Sequence, residues 1–141
     1  MTNDERADRL IREARQIAGE MRRALADEAW NLATCRAQEA LELAITALLI
    51  EMSVDYPKIH DPKIHDPVPV FVYAVRARGI EVDVAALDSL ATLSQELASI
   101  RGPAFYQETT VTEAQARDWV QRVERALEFA EELLRRLRRM T

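Results

Sequence analysis

Residues 99–106 combine an arginine and two aromatic side chains at an irregular break in the sequence. Arg101 precedes a Gly-Pro pair, and Phe105 and Tyr106 follow it. An arginine guanidinium binds phosphate and aromatic rings stack on bases, so these three side chains could hold a base and its phosphate. In the alternative interpretation the two aromatic residues only anchor a crossing loop on the fold, and spacing alone favours that alternative.

A second group of chemically active residues lies in a perfect tandem repeat, Pro-Lys-Ile-His-Asp, over residues 57–66. His60, Asp61, His65 and Asp66 supply two imidazoles and two carboxylates. Structural zinc prefers cysteine and histidine on a pre-formed scaffold, and duplication alone accounts for the pairs. We therefore expect no metal site and interpret Asp61 or Asp66 as a helix cap. The repeat is a local duplication, natural or engineered, which a surface loop tolerates at little entropic cost.

The chain has one cysteine, Cys35, with no histidine near it in the sequence. A single thiol excludes an internal disulfide and suits a reducing compartment. The polar N-terminus lacks the apolar core of a signal peptide, and no apolar run is long enough to span a membrane. We expect Cys35 to be a small buried side chain and the protein to be cytoplasmic, without a cofactor.

Charge gives a further candidate site at the C-terminal end. The formal net charge of −5 does not favour nucleic-acid binding by the whole surface. Four arginines nevertheless close the last predicted helix, at positions 135, 136, 138 and 139. They either complement the helix dipole or contact phosphate.

The elements that must position these residues are helices. The 141 residues are 48% hydrophobic and 30% charged, which is typical of one globular domain, and we expect that domain to span residues 1–141. Apolar residues recur every three or four positions, which predicts helices over about residues 4–26, 27–52 and 68–78, from 84 to before 102, and from 112 onward. Expected caps are Thr2 or Asn3, Asp83 and Thr112, with Gln115 completing a capping box. The fold class is an all-α, antiparallel up-and-down bundle of four to five helices.

The second predicted helix is apolar on more than one face. Its first half is rich in alanine, and its second half in leucine and isoleucine. Such a helix is either central in the bundle or shared with a partner chain.

The order of these motifs resembles the HEPN family (higher eukaryotes and prokaryotes nucleotide-binding domain). The carriers of the resemblance are the Cys-Arg-Ala-Gln-Glu-Ala-Leu-Glu run at residues 35–42, the Pro-Lys-Ile-His-Asp loop, the Arg/Tyr segment and the long last helix. It extends over about residues 30–137. The resemblance implies a helical bundle that forms a homodimer and binds nucleotides or RNA. It also implies a toxin–antitoxin-like pair with a minimal nucleotidyltransferase, or RNA cleavage without metal.

The family's nuclease motif is an arginine, a polar residue, a few more residues and a histidine. Arg101 matches the arginine, but Gly102 replaces the polar residue and Tyr106 stands where histidine is expected. Leu43 and Thr46 replace two lysines common on the second helix. Tyrosines titrate near pH 10 and are poor general bases at neutral pH.

Three functions therefore stay open, and with them whether the protein is an enzyme. The leading hypothesis is nucleotide or RNA binding at Arg101, Phe105 and Tyr106, with Tyr106 as an acceptor for nucleotide transfer from the partner. The alternatives are a metal-independent endoribonuclease with a degenerate motif, and a helical interaction module without a small ligand.

Overall fold

The computed structural model describes residues 1–54 and 66–140, and its regular structure there is entirely helical. This confirms the predicted all-α bundle. The five helices are α1 (Asn3–Ala26), α2 (Trp30–Glu51), α3 (Pro67–Ala77), α4 (Val84–Phe105) and α5 (Glu113–Arg139). His60, Asp61, His65 and most of the tandem repeat lie outside the described residues. No helix within these two ranges is long and apolar enough to cross a membrane.

Helix α2 is the centre of the bundle, since each of the other four helices packs against it. Alanines at positions 33, 37, 40, 44 and 47 on α2 are fully buried, which lets its neighbours approach closely. Leu41, Ile45, Leu48 and Leu49 then fill the middle of the core. The apolar breadth of α2 is thus explained by packing within this chain.

Side-chain caps begin four of the helices, as the sequence predicts. Thr2 accepts from the amide of Glu5 at 3.1 Å, and Asp83 accepts from that of Ala85 at 3.0 Å. Thr112 and Gln115 form the reciprocal capping box. Asp66 accepts from the amide of Val68 at 3.0 Å, so α3 begins at Pro67, one residue before its predicted start. Proline suits that first helical position because it has no amide hydrogen to leave unpaired.

The predicted start of α2 at Asp27 is wrong, because α1 ends there in a Schellman motif. Glu28 adopts the left-handed conformation with φ of 61°. The amide of Ala29 then bonds to the carbonyl of Ala24 at 2.9 Å. Glycine usually occupies this position, so the sequence contains no residue that marks the end of the helix here.

The predicted end of α4 before Gly102 is also wrong, because the helix continues through Pro103 to Phe105. A residue before proline avoids the helical conformation mainly because its Cβ and amide crowd the proline ring. Glycine has no Cβ, so Gly102 lessens that conflict. A second Schellman motif ends the helix, with Gln107 left-handed at φ of 59° and the amide of Glu108 bonded to the carbonyl of Pro103 at 2.8 Å.

Candidate functional site

The two aromatic side chains predicted as ligand contacts lie on the surface where α4 ends. Phe105 is 65% exposed and Tyr106 is 71% exposed. Their ring centroids are 5.1 Å apart and the rings are nearly perpendicular, at 89°. The alternative in which these rings anchor the loop on the bundle is wrong, since neither is buried.

Arg101 lies one helical turn before Phe105, so both side chains project from neighbouring positions on α4. Its side chain is 40% exposed. The two terminal nitrogens of the guanidinium face α2, where Nη2 is 3.9 Å from Oε1 of Glu39 and Nη1 is 3.9 Å from Oε1 of Glu42. Both distances exceed a normal hydrogen bond, so neither carboxylate holds Arg101 closely.

The two carboxylates belong to a polar strip on α2 whose members are three or four residues apart. Arg36 forms a close ion pair with Glu39 at 2.7 Å and a looser one with Glu20 of α1 at 3.5 Å. Gln38 donates from Nε2 to Oε1 of Glu42 at 3.0 Å. Glu39 is therefore tightly paired, whereas the described side chains that face Glu42 with a donor are the neutral Gln38 and the distant Arg101.

This environment makes Glu42 unusual among the acidic residues that the structure describes. Burial raises the pKa of Glu42 from its ordinary value of 4.5 to about 7, because the charged form loses solvation. Arg101 opposes this shift of the pKa, whereas Asp66 and Glu39 add to it. Glu42 is therefore a carboxyl group that gains and loses a proton near neutral pH.

Asn31, at the start of α2, fixes the loop that carries the aromatic pair. Its Nδ2 donates to the carbonyls of Ala104 and Thr109 at 3.2 and 2.9 Å and to Oε1 of Gln107 at 3.3 Å. Its Oδ1 accepts from the amide of Val111 at 2.9 Å. Asn31 thus takes the anchoring role that one interpretation of the sequence gave to the aromatic rings.

Cys35 is buried on α2 beside this strip, as predicted. Burial raises the pKa of its thiol, and the nearby Arg101 only partly opposes that effect. A thiol with a raised pKa is mainly protonated at neutral pH, and the protonated form is a weak nucleophile.

The C-terminal arginines are engaged by the protein itself. Arg138 forms ion pairs at 2.8 Å with both Asp8 and Glu51, and Arg135 pairs with Glu132 at 2.8 Å. Arg136 donates to the carbonyl of Glu81. The structure thus favours the interpretation in which these arginines stabilise the helix end.

The histidines of the tandem repeat, His60 and His65, fall outside the described residues, as does Asp61. Within residues 1–54 and 66–140, no group of three or more histidine, cysteine or acidic side chains could hold a metal ion. Asp66 instead caps α3 and accepts a hydrogen bond from Ser94.

The sequence brings Arg101, Phe105 and Tyr106 to notice, and the structure places them together. The sequence alone does not indicate that Glu42 and Asn31 belong to the same region. The spacing of Arg36, Glu39 and Glu42 signals one helix face, although only the fold shows that this face meets Arg101.

A comparison with protein-family models matches residues 7–134 to the model described as HEPN domain. This span covers most of the chain and includes every described residue of the site. No curated protein and no solved structure matches the chain.

Proposed function

Because the chain belongs to the HEPN domain family, we propose that it binds a nucleotide or RNA at Arg101, Phe105 and Tyr106. The observation that carries this proposal is the exposure of two aromatic rings one helical turn from a guanidinium that no carboxylate in residues 1–54 and 66–140 holds closely. Stacking on such rings contributes about 1–3 kcal/mol per base. The guanidinium supplies the contact to phosphate.

The test is thermal unfolding with ATP, GTP and a short single-stranded RNA. A ligand that binds only the folded state raises the unfolding midpoint, by about 5–10 °C at a hundredfold excess over Kd. We expect this rise in the wild type, and its loss in Arg101→Ala and in the double variant Phe105→Ala/Tyr106→Ala. Arg12→Ala, which removes an exposed arginine of α1, should keep the rise and is the matched control.

Absence of a rise with every ligand would contradict the proposal and favour an interaction module without a small ligand. RNA cleavage by the purified wild type that disappears in Arg101→Ala would instead support a metal-independent endoribonuclease. Equal midpoint shifts in Arg101→Ala and in the wild type would place the ligand elsewhere on the protein.

We further propose that the protein forms a homodimer and one half of a toxin–antitoxin-like pair with a minimal nucleotidyltransferase. The 71% exposure of Tyr106 favours a role for its hydroxyl as the acceptor. The Tyr106 oxygen would form a bond to the α-phosphorus of ATP, pyrophosphate would leave, and the hydroxyl proton would pass to solvent. Intact mass after incubation with the transferase and ATP should show an adenylyl adduct on the wild type and none on Tyr106→Phe. An unmodified wild type would refute this role.

A further inference from the structure

We propose that binding of a phosphate-bearing ligand at Arg101 is coupled to the uptake of one proton by Glu42. This inference rests on the proposed ligand site at Arg101 and concerns its regulation. Its basis is the arrangement of Arg101, Glu42 and Gln38 in the seam between α2 and α4.

Arg101 is shared between its protein neighbours and any anion that binds it. Its guanidinium already faces two carboxylates at 3.9 Å, those of Glu39 and Glu42. A phosphate bonded to the same guanidinium would lie within a few ångströms of both. Like charges at that separation repel strongly where burial weakens solvent screening. One of the two carboxylates must therefore lose its charge or move away for the phosphate to bind well.

Glu42 is the carboxylate that can lose its charge. Glu39 has Arg36 at 2.7 Å, whereas among the described residues the only close side-chain donor to Glu42 is the neutral amide of Gln38. The side chain of Glu42 is 23% exposed, so solvent compensates its charge poorly. Proton uptake removes the negative charge without moving the helix.

Gln38 offers the added proton a partner. This side chain is only 6% exposed, and its Oε1 has no hydrogen-bond partner among the described residues. Rotation of the amide by half a turn exchanges Oε1 and Nε2. The carbonyl oxygen then faces Glu42 and accepts from the protonated carboxyl, so the neutral form is satisfied locally.

The sign of the pH dependence follows from the groups that face Glu42, namely Arg101 from α4, Asp66 at the start of α3, and Gln38 and Glu39 on α2. Burial with the two acids outweighs Arg101 and holds the pKa of Glu42 at about 7. Below pH 6 the carboxyl is already neutral, and affinity should not depend on it. Above pH 7 the proton must be taken from solvent, so affinity should fall as the pH rises.

The experiment measures the Kd of the full chain for a short single-stranded RNA without terminal phosphates, between pH 6 and pH 8.5. Phosphodiesters keep one charge throughout this range, so the ligand itself adds no titration. We expect the affinity of the wild type to fall by up to about thirtyfold, and that of Glu42→Gln to stay nearly constant. Glu39→Gln is the matched control, since it removes the other carboxylate of Arg101 and keeps Glu42. It should bind more tightly and retain the pH dependence.

The outcomes separate this inference from the proposed function. If Glu42→Gln shows the same pH dependence as the wild type, the inference is wrong, and another titrating group that both proteins share, such as His60 or His65, causes the dependence. The binding site then still stands, because both proteins bind the RNA. A pH-independent wild type that binds RNA also overturns it. If neither protein binds RNA or nucleotides at pH 6, where Glu42 is neutral, the proposed function fails and the coupling fails with it.

Discussion

The carboxyl of Glu42 should make the stability of the protein depend on pH even without a ligand. In the unfolded chain this group titrates near its ordinary value of 4.5, whereas in the fold its pKa is about 7. Between these values the folded state binds the proton and the unfolded state has lost it. The free energy of unfolding therefore falls as the pH rises through this window and levels off above it.

The size of this effect follows from the two pKa values. A tenfold change in an acid dissociation constant corresponds to about 1.4 kcal/mol, so moving the pKa from 4.5 to about 7 costs about 3 kcal/mol at pH 8. Glu42→Gln keeps the shape of the side chain and cannot ionise. Relative to the wild type, its free energy of unfolding should increase by about 3 kcal/mol between pH 4.5 and pH 8.

Urea unfolding at half-unit steps of pH measures this difference directly. Subtracting the wild type from Glu42→Gln cancels the titration of groups that do not interact with Glu42. Glu39→Gln is the control, because it breaks the 2.7 Å pair with Arg36 and should not stabilise the protein at pH 8. If the free energies of unfolding of the wild type and Glu42→Gln differ by the same amount from pH 4.5 to pH 8, the fold does not perturb the pKa of Glu42.

Three further substitutions test the packing that holds the site. Asn31→Ala removes four hydrogen bonds and should lower the free energy of unfolding by about 2–3 kcal/mol, whereas Asn3→Ala, which loses one exposed bond to a serine, should cost under about 0.5 kcal/mol in the same urea titration. Glu28→Gly should stabilise by up to about 1 kcal/mol, because glycine adopts positive φ without strain, and a lower midpoint would contradict this. Leu48→Ala leaves a cavity in the core and should lower the free energy of unfolding by about 2–5 kcal/mol. A smaller loss, measured by calorimetry, would mean that neighbouring side chains fill the cavity.

Local signals in the sequence predict most of the architecture. Periodic apolar residues locate the helices, and the side chains of Asp66, Asp83 and Thr112 mark where three of them begin. These signals work because a cap and its helix are neighbours in the chain. The predicted boundary at residue 27 is wrong because Glu28 adopts the left-handed conformation without being glycine. The predicted end before residue 102 is wrong because α4 accommodates Gly102 and Pro103.

The site is less accessible to such reasoning because its contacts are distant in sequence. Asn31 bonds to groups 73 to 80 residues away, so nothing in its own neighbourhood distinguishes it from other polar residues at a helix start. In the sequence, the polar neighbours of Glu42 have the i,i+4 spacing of an ordinary solvated helix face. Only its burial against α4, beside Arg101, separates it from the solvated glutamates of α1 and α5.

The buried position of Cys35 makes it a built-in probe for the opening of the fold. It is the only thiol in the chain, it is 4% exposed, and it lies on α2 near Arg101. A thiol-reactive dye can modify it only when the fold opens locally or globally, so the labelling rate measures how often such openings occur in the wild-type protein. The same labelling rate, measured with and without RNA, would show whether a ligand at Arg101 makes these openings rarer.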